Sequence, residues 1–457
     1  MAALADVPHA IKASAVGAPR RACDIPFLAF TIPVIVPFSV FRTRTWAALH
    51  CAILVAVGVA CERPTAPTAY VYADRVVSIP VTATGWRAIT VGGSHTCGIR
   101  LAGQLRCWGA NGSGQLGVGI ARGRCGTTRP SPCEAIPTAV QSSARFAAVS
   151  AGSRHTCAIT ATGALFCWGE NLMFQTASQG DAFVRTPRAV RPDLQFTDVA
   201  AGASHTCAVR TNGVVYCWGE GRLGALGRGD TLSSVLPEPI LSTERFTTVR
   251  TGLWSSCAIA LDGVAWCWGS EWESAEGFFD FFHERTTPHR VQALPLVRDL
   301  SASSSSMCAV SLDGVASCWQ GNAFAQLGRG DTKGIEAPLP VATDEVFVSV
   351  SAGIIQTCGL ATDGRALCWG NDSFGQLGVP RTGERCGISA LECSSRPIEV
   401  FGRLRFVSVA TGLGNHTCGI SVSSAAICWG LGNNGQLGDG YTRDRQSIPV
   451  GVLPEMP

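Results

Sequence analysis

The 457-residue chain is 46% hydrophobic and only 15% charged, so it has the apolar content to bury a large core. Its formal charge of +3 is scattered singly, with Lys only at Lys12 and Lys333; no basic stripe argues for nucleic acid and no acidic tail for a basic partner. The 21 cysteines, mostly paired at regular spacing, imply an oxidising compartment.

Residues 1–61 read as a signal peptide or lipoprotein leader. Phe27 to Phe41 is apolar but broken by Pro33 and Pro37, a poor helix. Arg42 and Arg44 form a small basic region before the apolar run from Trp46 to Val59, which is too short for a comfortable membrane span. A Cys directly after small residues resembles the lipobox of lipoproteins. That resemblance makes Cys61 the lipidated residue; plain secretion and a retained anchor are the alternatives. Residues 62–84 begin with the Pro/Thr-rich stretch Glu62 to Ala69, an extended tether, and include a possible strand at Arg75–Val81.

From residue 85 to 457 one unit recurs. Its second copy, Ala151 to Gly169, reads AGSRHTCAITATGALFCWG. Seven Cys-Trp pairs begin at Cys107, Cys167, Cys217, Cys267, Cys318, Cys368 and Cys428, in steps of 60, 50, 50, 51, 50 and 60 residues. A period near fifty with strand-rich units predicts an all-β, seven-bladed β-propeller of four-stranded antiparallel blades.

Each unit contains a hairpin. In the sixth, Thr362-Asp363-Gly364 is turn chemistry, and a three-residue loop with Gly in the left-handed position pairs Ala361 with Arg365. Three steps further the register pairs Cys358 with Cys368 at a non-hydrogen-bonded site, where side chains are closest. The same ten-residue spacing recurs at Cys97/Cys107, Cys157/Cys167, Cys207/Cys217, Cys257/Cys267, Cys308/Cys318 and Cys418/Cys428. We read these as cross-strand disulfides, each worth about 2.5–3 kcal/mol in the chain-entropy model. The alternative is buried thiol pairs packed between blades. Zinc is disfavoured, because each hairpin offers only two ligands.

Trp86, Phe146, Phe196, Phe246, Val297 and Phe347 start the units, eleven residues before each first Cys, while Phe406 stands twelve before. Short Pro-containing segments after each Cys-Trp, such as Pro187–Val190 and Pro397–Val400, read as edge strands. Ring closure then places the C-terminal strand Ile448–Leu453 beside the N-terminal hairpin, with Arg75–Val81 as its competitor for that place.

The pattern G-x-x-H-T-x-A-[IVL]-x-x-x-G-x-x-x-x-W-G, with tails such as Gly114-Gln-Leu-Gly117, Gly375-Gln-Leu-Gly378 and Gly435-Gln-Leu-Gly438, resembles the regulator of chromosome condensation repeat family across about residues 85–453. The resemblance implies a seven-bladed propeller. The cysteine pair departs from the family's usual Leu and small residue, and so points to an exported bacterial, cysteine-paired branch.

His95, His155, His205 and His416 share one repeat position, filled elsewhere by Ser255, Ser306 and Gln356, which argues for structural hydrogen bonds. Arg228-Gly-Asp230 and Arg329-Gly-Asp331 belong to a turn of the repeat. No nucleotide loop, metalloprotease motif or nucleophile elbow occurs. The stretches that break the repeat are the candidate sites. Ser270–His289 carries Trp272, Phe278, Phe279, Phe281 and Phe282, with Trp254 in the same unit: a partner-binding patch, or a private mini-core capping the blade. Insertions Val118–Ala135 and Val379–Ser395 hold Cys125/Cys133 and Cys386/Cys393, two loops pinned by disulfides.

The resulting expectation is an exported protein, either a cell-envelope lipoprotein or secreted. It binds a protein partner through loops on one face, with no catalytic site, cofactor or metal, no nucleic acid, and no membrane contact beyond its N-terminal anchor, as a monomer. The alternative is a guanine-nucleotide exchange-type regulator, as in the family's nuclear member. That activity needs a cytosolic GTPase, which a disulfide-rich exported chain would not meet.

Overall fold

The computed structural model describes residues 85–126, 130–273, 281–387 and 390–454. The leader, Cys61, the tether and Arg75–Val81 lie outside them.

The described chain forms seven antiparallel sheets, each built from consecutive strands of one repeat. The blade of the second repeat consists of Phe146–Ala151, His155–Thr160, Leu165–Glu170 and Phe183–Val190, in spatial order. Blades one and six carry a fifth, outer strand, Gly123–Cys125 and Glu384–Cys386. Both lie in the cysteine-bearing insertions, and these account for the two 60-residue steps.

The hairpin turn is bonded as its residues imply. Ala361 N–H donates to Arg365 O at 2.8 Å, and Gly364 N–H returns to Ala361 O at 3.0 Å. Counting back from that turn pairs Cys358 with Cys368, as expected. All seven repeat pairs are disulfide-bonded, with Cα separations of 4.0 to 4.2 Å. Cys125–Cys133 and Cys386–Cys393 are bonded as well, and pin the outer strands of blades one and six.

The outer strands begin earlier than the sequence reading placed them. Pro187–Val190 is the end of Phe183–Val190, and Pro397–Val400 overlaps the end of Leu391–Glu399. The reason is a bulge in the outer strand, which carries the extra residues between the partners of Cys167 and Gly169. Register shifts between Cys167 and Gly169, and between Cys368 and Gly370, but pairing resumes beyond it and recruits the residues before the Pro.

The first strand of each blade is innermost. Loops at its end link blade to blade: Gly93 N–H to Gly152 O at 3.1 Å, Ser153 N–H to Gly202 O at 3.1 Å, Ala203 N–H to Gly252 O at 3.0 Å. Being an edge, the inner strand has free N–H groups, and the preceding blade satisfies them with side chains. Thr90, Ser150 and Ser301 accept from Ala151, Ala201 and Ala352, and Asp198 and Asp299 accept from Val249 and Val350.

The ring does not close as expected. The C-terminal strand, observed as Gln446–Gly451, pairs with Ala426–Gly430 of its own repeat and not with the N-terminal hairpin. The ring closes through side chains instead. Trp86, Val91 and Trp108 pack with Cys418, Ile420 and Leu437. Thr96 bonds His416 Nε2 at 2.9 Å and Gln436 O at 2.8 Å. Each repeat fills its own blade, so among the described residues no strand is left over for exchange.

Candidate binding face

Two layers of residues build the face, and the lower one is a packing layer that repeats around the ring. The imidazole Nε2 of His95, His155 and His205 bonds Thr156, Thr206 and Ser256 of the next blade at 2.8 to 2.9 Å. Each of those hydroxyls also donates to a turn carbonyl, of Gln115, Gln175 or Ala225, that the following Trp indole shares. Gln356 substitutes with Nε2 donating to Gly414 O at 3.1 Å. Burial lowers the pKa to about 3 at His95, His155 and His416, and to about 4 at His205, so all four are neutral. They are structural, as their repeated position implied.

The Arg-Gly-Asp triplets are turns, as expected: Asp230 accepts from Leu232 N–H at 3.0 Å and pairs with Arg228 at 3.1 Å. Asp331 accepts from Lys333 N–H at 3.0 Å and pairs with Arg329 at 3.3 Å.

Strand direction sets the upper layer. The first and third strands run the same way, so the connection after each emerges on the same side of the ring. The backbone bond from Ala110 N–H to Ser94 O at 2.8 Å ties two such connections together. All the repeat-breaking stretches follow third strands: the two pinned insertions and the blade-four hairpin. They therefore share one face.

In blade four the third and fourth strands, Ala265–Glu273 and Phe281–Arg290, extend into a long hairpin. Backbone pairing sets Trp272 opposite Phe282 and Glu273 opposite Phe281, while Phe278 and Phe279 lie outside the described residues. At its base Glu271 bonds His289 Nε2 and, at 2.8 Å, Arg285 Nε. Burial alone would raise the Glu271 pKa, but those two partners outweigh it and hold it down to about 2. Trp254 lies on the inner connection of the same blade, with the Arg222 guanidinium 4.9 Å from its ring centroid. Trp266, which belongs to the same unit, instead packs against the core between blades three and four.

In the blade-six insertion Glu384, Cys386 and Cys393 offer three ligand atoms within 4.8 Å of one another. The sulfurs are joined to each other, however, and Glu384 accepts Ser395 N–H at 2.8 Å. Nothing there fits a metal.

Two features escaped the sequence reading. One is a charge row on the inner strands: Arg250 pairs with Asp198 at 3.0 Å and is drawn electrostatically to Asp299. Burial raises the Asp299 pKa, and Arg250 offsets part of that. The other is in blade two, where Leu172, Met173 and Phe174 are exposed. Comparing repeats would have found both, since these residues replace small or uncharged ones: Gly112-Ser113-Gly114 in blade one, and Ser150 or Ser301 at the place of Arg250.

Among known proteins, models of the regulator of chromosome condensation (RCC1) repeat match residues 86–115, 146–175, 196–225 and 347–376, and, in a second form, 102–159, 212–259 and 363–420. The chain is 32% identical over 83 residues to the ultraviolet-B receptor UVR8 of Arabidopsis thaliana, and 37% identical over 92 residues to the mitochondrial RCC1 domain-containing protein RUG3 of the same plant. These stretches are 18% and 19% of this chain, and only 17% and 19% of those proteins. Its fold is similar to yeast RCC1 (Prp20) in a crystal structure bound to Kap60, with TM-score 0.67 and 19% identity over 77% of this chain and 84% of that one. Human WBSCR16 is similar at TM-score 0.62 and 19% identity, over 74% and 88% of the two chains. The matched repeats, the sevenfold ring and the shared turn chemistry agree: the chain belongs to the regulator of chromosome condensation repeat family.

Proposed function

We propose that this protein is an exported, disulfide-stapled propeller that serves as a protein-binding scaffold and has no catalytic site. One observation carries the reading. The seven units agree at their packing positions and depart from one another mainly in third-to-fourth-strand connections, which share one face. A rigid ring that varies chiefly at such loops suits recognition, where preorganisation limits the entropy lost on binding. Similar propellers bind proteins: yeast Prp20 is known in complex with Kap60, and its crystal structure has also been described together with its binding to Gsp1p and histones. Those partners belong to those proteins, and the low identity transfers none of them here. Export is supported by nine disulfides among the described residues and by the apolar leader. Among the described residues no helix is long and apolar enough to cross a membrane.

The test is cross-linked capture from the cell envelope, comparing the native chain with one whose 270–289 hairpin is replaced by the shorter blade-three turn. The expected result is a partner captured by the first and lost with the second. Recovery of the protein in the cytosol with its thiols free would refute export and favour the exchange-factor alternative.

A further inference from the structure

We propose that the corner of this face shared by blades one and two docks on an anionic lipid bilayer. In blade two the turn after the third strand presents Leu172, Met173 and Phe174, with Leu172 56% exposed. Phe183, also exposed, starts the strand opposite and pairs with Glu170. The blade-one insertion completes the corner. Gly119 N–H donates to Arg185 O at 3.1 Å, and the next residue, Ile120, is 87% exposed. Five large apolar side chains thus stand exposed at this corner.

Charge supports the same occupant. Arg122, Arg124, Arg154, Arg185 and Arg188 surround these turns and are exposed. The carboxylates nearby are Glu134, Glu170 and Asp181; Glu170 pairs with Arg154 at 3.4 Å and Asp181 with Arg188 at 2.7 Å. Guanidinium outnumbers carboxylate, and it matches phosphate in a fixed, bidentate geometry. Apolar tips rimmed by Arg suit the boundary between headgroups and acyl chains. There basic side chains are drawn to an anionic surface, and added salt screens that attraction. Phe174 adopts φ 65, a left-handed conformation that its blade-one counterpart fills with Gly114. Apolar bulk is therefore held at this turn against backbone preference.

The inference rests on the fold and not on the scaffold reading, so it is tested separately. The oxidised full-length chain carrying Cys61→Ser is sedimented with vesicles of phosphatidylcholine, alone or mixed with phosphatidylglycerol. More protein should pellet with the mixed vesicles, and added salt should reduce it. The double variant Leu172→Gly, Phe174→Gly restores residues suited to this turn, so it should fold and lose about tenfold in vesicle affinity. Arg122→Gln with Arg185→Gln should flatten the salt dependence. Any leader contribution is common to all these chains and cancels. Equal pelleting with both vesicle types, no change in the glycine variant, or retention on immobilised polyglutamate without vesicle binding would overturn the proposal.

Discussion

At the scale of single residues, the repeat serves as its own control. Six hairpin turns place Gly in the left-handed region, from Gly213 at φ 81 to Gly314 at φ 92. The seventh has Ser424 at φ 61. Its Cβ is strained there, so Ser424→Gly should stabilise the protein by about 1 kcal/mol in urea unfolding. No gain would mean that the turn relaxes around Ser. Asp372 is a second departure. It holds Leu377 N–H at 2.9 Å, as Asn111 holds Leu116, yet its side chain is fully buried beside Arg445 at 3.4 Å. Burial raises its pKa to about 7, against 3.8 when unfolded. Between those values the native state binds a proton that the unfolded chain does not, so this group adds stability as pH falls from about 7 to 4. Asp372→Asn should therefore be more stable by about 2–4 kcal/mol at pH 8, with the advantage gone near pH 4. Urea midpoints across that range decide it; a pH-independent difference would reject the buried-carboxyl account. The four buried histidines act oppositely. Their folded values lie below the unfolded one, so acid costs the native state through the same window, and being four they dominate the wild-type profile.

At the scale of elements, the Gln-Leu-Gly turn matters most, because it joins two blades. Its Gln carbonyl in blade six receives the Thr417 hydroxyl and the Trp429 indole N–H, both at 2.9 Å. Trp429 is fully buried, and removing an indole of its size from water is worth about 4–6 kcal/mol by area, an upper value. Gly378, which closes the turn, has φ 73, and a Cβ there would lie 2.9 Å from Trp429 Nε1. Gly378→Ala should thus destabilise by about 2 kcal/mol or more, through strain and overpacking together. Thermal unfolding measures the cost, and a loss under half that size would show the turn to be adaptable. Blade four lacks this turn, and the next Trp, Trp319, is 4% exposed where its counterparts are fully or almost fully buried. The long hairpin stands where the common turn is missing. That favours its having been shaped for something other than inter-blade packing.

Over the whole ring, the closing interface uses the same bonds as the others. Thr96 to His416 and Gln436 repeats the geometry of Thr206 to His155 and Gln175, at 2.8 to 2.9 Å throughout. Among the described residues no strand is shared between the ends. Thr96→Val and Thr206→Val should then cost the same, about 1–3 kcal/mol each for the unsatisfied groups left behind. A markedly larger loss at Thr96 would mean that the seam is the ring's weak point and opens first.

The sequence by itself determined the blade count, the hairpin register and which cysteines of the repeats stand opposite one another, because these depend on spacing along a short stretch of chain. Ten residues around a three-residue turn leave Cys358 and Cys368 no other register. It also picked out the three connections that break the repeat. Only the tertiary structure decided how the ring closes, since the choice lies between pairings distant in sequence that are equally permitted locally. It likewise decided that Arg250 sits among carboxylates of neighbouring blades, and that Ile120 and Leu172, fifty-two residues apart in the chain, form one corner. Neighbourhood across blades is set by the circle, and hydrophobic periodicity within one strand carries no information about it.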